Sequence, residues 1–234
     1  DFSGYSDMAI GIALLLGFKI PMNFNAPLTA DSMTDFWRRW HISLSTWIRD
    51  YVYISLGGNK KGTLRMYFNQ MVAMTACGLW HGASLNFIVW GVLHGALVCV
   101  HKFWSQTVLK HDRRYHPSGL RRFISVFITF HVLCFTWLFF RCKDFDAVWV
   151  MVKQMFTKFN PSVLPDVFMG YKYVFLLMIF ALLTHWIPDS WQNRCVRILE
   201  KGGVLLSAIA ITIVIFIIMQ VKSSDIQPFI YFQF

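Results

Sequence analysis

The residues that could do chemistry in this 234-residue sequence are its histidines, and their settings differ. His81 lies in Cys77-Gly78-Leu79-Trp80-His81-Gly82-Ala83-Ser84, where two glycines flank a Trp-His pair inside an apolar stretch. Glycines there let backbone or substrate approach closely and mark a break. A buried imidazole stays neutral, which is the form a general base needs. His41 belongs to a second pattern. Arg38, His41, Ser45 and Arg49 recur at spacings of three, four and four, so they share one helical face. As a surface feature this is an amphipathic helix lying in a membrane interface with its arginines in water. As an interior feature it is a polar stripe lining a tunnel, with His41 in it.

The other histidines carry weaker signals. His94, His131 and His185 lie in or at the end of apolar spans. There a histidine usually hydrogen-bonds a neighbouring helix, although any intramembrane ionisable group is a functional candidate. His111 and His116 fall in a basic loop over residues 102–122 and read as solvated. Other chemistries find no support. No H-E-x-x-H, nucleophile elbow, P-loop or dinucleotide fingerprint is present. Acidic residues are nearly absent from the apolar spans, which argues against a carboxylate-based ion pump. A metal site built from histidine alone stays open, and no cofactor is implied.

The elements that must position these residues belong to a membrane protein. Hydrophobic residues make up 56% of the chain and charged residues only 15%, against about 25% charged in ordinary soluble domains. Mean hydropathy is +0.48. Such a chain needs lipid to take up its apolar excess. The formal charge of +10 sits in short basic runs between apolar stretches, as expected for cytoplasmic loops. No nucleic-acid-binding motif accompanies those runs. The five cysteines are scattered and fit apolar fillers rather than a disulfide framework.

Residues 202–221 form the clearest span, with 123–140 and 173–188 next. Trp186 and Trp191 flank the end of the last, as in an interfacial aromatic belt. Residues 66–101 carry no Asp, Glu, Lys or Arg. One helix of that length would be about 54 Å long, too long for a hydrocarbon core of about 30 Å, and the stretch looks short for two full passes. Basic flanks on both sides suggest a hairpin or re-entrant turn near Trp80-His81-Gly82, facing a cavity at depth. Residues 34–53 read as one amphipathic helix, started by Ser32 in a capping box. Phe36, Trp40, Trp47 and Tyr51 form its apolar face. Residues 145–156 read as a short interfacial helix. The first apolar stretch, residues 8–18, is too short to cross a bilayer, and the chain begins at Asp1. The expectation is that a longer protein's N-terminal part precedes it.

The fold class expected is thus all-α, a polytopic transmembrane bundle with broken or re-entrant helices and an interfacial amphipathic helix. A transporter or channel using intramembrane histidines would suit broken helices too, though no inverted repeat is visible. A scaffold subunit without activity is a further reading.

Several long motifs occur in one order. They are Asp1-Phe2-Ser3-Gly4-Tyr5-Ser6-Asp7-Met8-Ala9-Ile10-Gly11, Asn23-Phe24-Asn25-Ala26-Pro27, Phe36-Trp37-Arg38-Arg39-Trp40-His41-Ile42-Ser43-Leu44-Ser45, Arg49-Asp50-Tyr51-Val52-Tyr53-Ile54-Ser55-Leu56-Gly57-Gly58-Asn59, Gly78-Leu79-Trp80-His81-Gly82-Ala83 and Trp90-Gly91-Val92-Leu93-His94-Gly95. With the tail from Pro228 to Phe234, this set resembles the membrane-bound O-acyltransferase (MBOAT) family in its bacterial alginate O-acetyltransferase branch. The resemblance implies that residues 1–234 are the C-terminal part of a single membrane domain in the bacterial cytoplasmic (inner) membrane. It implies transfer of an acyl group, usually acetyl, to hydroxyls of an extracytoplasmic polysaccharide. The acyl donor would be a co-substrate, and an extracytoplasmic acyltransferase could be a partner protein. By the same resemblance His81 is catalytic and His41 is a second important position near the tunnel. Trp80 and His94, within their motifs, join Arg38 and Ser45 as substrate-binding candidates. Leu85 departs from the pattern, where an aromatic is more usual.

Overall fold

The computed structural model describes residues 2–112, 115–184 and 187–221, and those residues are helix, turn or loop with no strand. Two compact units are present, the first ending at Leu164 and the second starting at Pro165. All the motif histidines lie in the first.

That unit starts with α1 (Phe2–Leu15), followed by an extended stretch and a 3-10 turn at Pro27–Thr29. Next come α2 (Met33–Arg39), α3 (Ile42–Trp47) and a π-helical segment, Ile48–Tyr53. Ser32 caps α2, its hydroxyl accepting from the Asp35 N–H at 3.2 Å, as the sequence pattern predicts. The single helix expected over residues 34–53 is instead broken at Trp40-His41. The expected apolar face breaks with it, since Phe36 is buried while Trp47 and Tyr51 face outward.

The hairpin is present. α4 (Thr63–His81) and α5 (Leu85–Lys102) are joined by residues 82–84, and α5 continues into a π-helical segment, Phe103–Val108. The arms are longer than the uncharged stretch because helix starts before Arg65 and continues past Lys102. At 1.5 Å per residue α4 is about 28 Å long and residues 85–108 about 36 Å. Of the two arms, only residues 85–108 are both long and apolar enough to cross a membrane, so the hairpin does not amount to two full passes by length and composition. The arms cross closely where Gly78 meets Gly91: a Cβ on Gly91 would lie 2.5 Å from the Met74 carbonyl oxygen, and one on Gly78 would collide with that of Phe87.

α6 (Gly119–Arg141) and α7 (Phe145–Thr157) complete the unit. One core cluster joins Ala30, Met33 and Phe36 to Val98 and Leu133; another joins Leu44 and Ile48 to Ala73, Cys77, Trp90, Phe139 and Val148. The broken α2–α3 segment is thus packed onto α4, α5 and α6, not laid on a surface. α7 is the better match to an interfacial helix. It is capped by Asp144, whose carboxylate accepts from Ala147 N–H at 2.7 Å, and it buries Val148 alone.

The second unit contains most of α8 (Leu164–Gly170), then α9 (Lys172–Thr184) and α10 (Asp189–Val221). α10 is kinked at Gly203, whose φ of 62° only glycine adopts cheaply. α9 is described as far as Thr184. His185, Trp186 and the tail from Pro228 lie outside the described residues. Three helices, Leu85–Val108, Gly119–Arg141 and Asn193–Met219, are long and apolar enough to cross a membrane. A fourth candidate is the pair Pro161–Gly170 and Lys172–Thr184, bent by 81°. The protein is an all-α polytopic bundle with broken helices.

Candidate active site

Two histidines converge on one tryptophan. His81 is the last residue of α4, and Gly82 turns the chain with φ 153°. A Cβ at Gly82 would lie 3.0 Å from the Phe87 ring, so the close turn requires glycine. The His81 ring meets three aromatic rings edge-on: Trp80 at 4.8 Å, Trp90 at 5.4 Å and Phe140 at 4.8 Å between centroids. His41 also meets the Trp80 ring, at 5.9 Å between centroids. Trp80 itself is 56% exposed.

His41 reaches that place through a strained break. Its backbone is left-handed, φ 44° and ψ 55°, a conformation that costs a non-glycine residue about 1–2 kcal/mol. A clamp from the Asn23-Phe24-Asn25 motif holds it. Asn25 N–H donates to Arg39 O at 2.9 Å, and Ile42 N–H to Asn23 O at 3.0 Å. Asn23 Oδ1 then accepts from the backbone N–H and the hydroxyl of Ser43, at 3.1 and 3.0 Å. Asn23 thus caps α3 from outside, where His41 at the N-cap makes no such bond. His41 is 8% exposed, and burial lowers its pKa to about 4, opposed by a backbone hydrogen bond. It is a neutral imidazole at physiological pH.

His94 is placed differently. It is 0% exposed. Trp37 Nε1–H donates to its Nδ1 at 3.2 Å. Nδ1 is therefore an acceptor, so Nε2 carries the proton and donates to Thr136 Oγ1 at 2.9 Å. Thr136 passes its own hydroxyl proton to Leu133 O at 3.0 Å. Every polar atom of the ring is engaged, and the ring pins α2, α5 and α6 together. His131 bonds within its own helix, to Phe127 O at 2.8 Å.

A cavity of about 500 Å³ opens beside this centre. Arg38, Ser45 and Arg49 from the predicted polar stripe line it, with Lys102, Trp37 and Cys77. His41 is not in that wall; the break at residue 40 turns it toward Trp80. Cys77 precedes His81 by one helical turn, about 6 Å along the axis. Trp37 touches Trp90 at 5.8 Å, and Trp90 touches His81. The cavity therefore stops one turn and one indole short of His81. Its lining carries three cations, Arg38, Arg49 and Lys102, and one carboxylate, Asp112. Ser45 donates its hydroxyl to Trp40 O at 3.1 Å, and Arg49 is held by its neighbour Asp50 at 2.7 Å.

The structure thus brings His41, Trp80 and His81 into one centre, Arg38 and Ser45 into the adjacent cavity, and encloses His94 behind Trp90. Sequence reasoning missed Trp37 and Trp90, which lie between cavity and centre. The available signal was the four-residue spacing of Asn86, Trp90 and His94 along one face of α5. It also missed His116, which is not merely solvated: its Nδ1 lies 2.6 Å from Asp31 Oδ2. Asp31, Asp35 and His116 offer ligand atoms within 4.8 Å of one another. Asp35 is already bonded by Arg39 at 2.8 Å, and the His116–Asp31 hydrogen bond ties the loop to the residues just before α2.

Fold and site together define a class: a helical membrane protein whose centre is a pair of histidines at a broken hairpin, next to a polar cavity. The model of the MBOAT, membrane-bound O-acyltransferase family, matches residues 1–142, and the chain belongs to that family. It is 46% identical over 157 residues to a probable alginate O-acetylase AlgI of Azotobacter vinelandii, covering 67% of this chain and 30% of that protein. It is 34% identical, along its whole length, to half of a Pseudomonas putida protein with the same description. A peptidoglycan O-acetyltransferase of Helicobacter pylori is 43% identical over 155 residues, 66% of this chain and 28% of that protein. The chain spans half or less of the length of these relatives.

Proposed function

We propose that this chain carries the reaction centre of a bacterial inner-membrane O-acyltransferase that moves an acyl group, most simply acetyl, onto hydroxyls of an extracytoplasmic polysaccharide. The observation that carries this reading is the position of His81. It sits at a glycine-turned helix end within an aromatic box, one turn beyond the end of a polar, cationic cavity. In this account the donor enters the cavity, with Arg38 and Ser45 orienting it, and presents its carbonyl past Trp37. The acceptor hydroxyl approaches from the side of exposed Trp80. His81 takes the hydroxyl proton as the oxygen attacks the carbonyl carbon. The tetrahedral adduct then expels the donor's leaving atom, which receives that proton. General-base assistance of this kind is worth about 10²–10⁴ in rate.

His41 is the second catalytic candidate. Being neutral and fixed by the Asn23 clamp, it can hold or relay the acceptor's proton beside Trp80. His94 is a positioning residue in this account: it fixes Trp37 and, through contact at 4.5 Å, Trp90. The acceptor class follows from the relatives, which are described as acetylating alginate or peptidoglycan. An extracytoplasmic partner protein that completes transfer belongs to the same proposal. The test is incorporation of labelled acetate into base-labile esters of cell polysaccharide, with and without the full-length protein. A protein-dependent ester signal is expected. Its absence, together with protein-dependent proton flux in vesicles, would favour a transporter instead.

A further inference from the structure

Among the described residues, the side-chain polar atoms that are buried without a hydrogen-bond partner include the Asn69 and Asn86 amide oxygens and the Trp90 indole nitrogen. Buried polar groups are satisfied in the great majority of cases, so each exception calls for a cause. The two amide oxygens are acceptors. Trp90 Nε1–H is a donor, and can be nothing else. Trp90 is 2% exposed. Its ring is perpendicular to that of His81 at 5.4 Å and packs on Phe140 at 5.1 Å. It also meets Trp37, which lines the cavity, at 5.8 Å. Trp90 thus bridges a residue of the cavity wall and His81.

We infer that Trp90 is a catalytic residue whose Nε1–H binds the carbonyl oxygen of the acyl group and holds the negative charge that develops there. The inference rests on the acyl-transfer reading above. As the acceptor oxygen bonds to the carbonyl carbon, its proton goes to His81 and the carbonyl π pair moves onto oxygen. That oxyanion accepts a hydrogen bond from Trp90, which keeps its proton throughout. Collapse restores the carbonyl, breaks the bond to the donor's leaving atom, and returns the proton from His81 to that atom. A donor fixed in a water-poor aromatic box needs no reorganisation at the moment of reaction, which is where such donors act most strongly. In the resting protein the same N–H has no acceptor because the acceptor is the substrate. Nearby Asn86 does not supply one: its Nδ2 donates to Cys142 O at 3.0 Å, while its Oδ1 is itself without a donor.

The experiment removes the N–H and nothing else. In the full-length protein, Trp90 is replaced by β-(3-benzothienyl)alanine, which keeps the bicyclic shape, and separately by Phe. Base-labile acetate on cell polysaccharide is measured per unit of membrane-inserted protein, beside His81→Gln and the wild type. The expected result is a drop of tenfold or more for the benzothienyl variant, with the melting temperature in detergent unchanged. Combined with His81→Gln, it should add no further loss. Trp90→Phe should show the same drop where it folds; if it does not fold, the benzothienyl variant decides. Wild-type ester levels in the benzothienyl variant, with His81→Gln inactive, overturn the role of Trp90 and leave the acyl-transfer reading standing. Wild-type levels in both variants overturn the base assignment as well.

Discussion

At the scale of single residues, the three motif histidines separate by what surrounds them. His94 has both ring nitrogens committed, so its imidazole is a structural hub. His94→Ala should leave the Trp37 N–H unpaired, a cost of about 1–3 kcal/mol before any cavity penalty. Thermal unfolding of the purified full-length protein should show that loss. His41 makes a different prediction. Its folded pKa, about 4, is below the ordinary histidine value of 6.5. The unfolded state therefore binds more protons between those values, and stability rises with pH across that window. The contribution is complete above pH 6.5 and is lost as pH falls through 4. A melting-temperature profile from pH 4 to 7 should flatten in His41→Ala; an unchanged slope would show that other groups dominate.

At the scale of elements, the centre depends on how closely α4 and α5 approach. Gly78→Ala or Gly91→Ala would drive a methyl group into facing backbone, which cannot give as a side-chain end can. Each should lower stability by about 1–3 kcal/mol and displace His81 and Trp90, whereas Gly4→Ala meets nothing within 4 Å and should fold normally. Measuring melting temperature and ester formation in these three variants checks the point. The break of the hairpin was legible in the sequence because two glycines and a Trp-His pair interrupt an uncharged run. The break at Trp40-His41 was not. Apolar and polar periodicities continue through it, and nothing in a non-glycine histidine announces a left-handed backbone. Its cause is tertiary: the Asn23 clamp lies twenty residues upstream of Ser43, and no local pattern shows that the two meet. The cavity stripe was read in part, for Arg38, Ser45 and Arg49. The misassigned member was His41, turned away by that same break.

At the scale of the whole molecule, a tight hairpin returns the start of α4 and the end of α5 to the same side. Single cysteines at Lys61 and Lys110 in the full-length protein should be labelled from one side of the membrane only, and from the same side; opposite accessibility would contradict the hairpin as a membrane element. The all-α architecture was legible from composition and span length, since little else can satisfy the backbone of so apolar a chain. What composition could not show is the path between cavity and centre, because Trp37 and Trp90 look like ordinary apolar filling until their neighbours are known.

The central claim is that His81 is the base. It is tested most directly by His81→Gln beside His94→Gln in the full-length protein, at matched membrane levels, with base-labile acetate on polysaccharide as the readout. Glutamine keeps hydrogen-bonding capacity but accepts no proton at neutral pH. Near-complete loss is expected for His81→Gln and a partial loss for His94→Gln. Near-normal acetylation by His81→Gln would contradict the claim and move the base to His41.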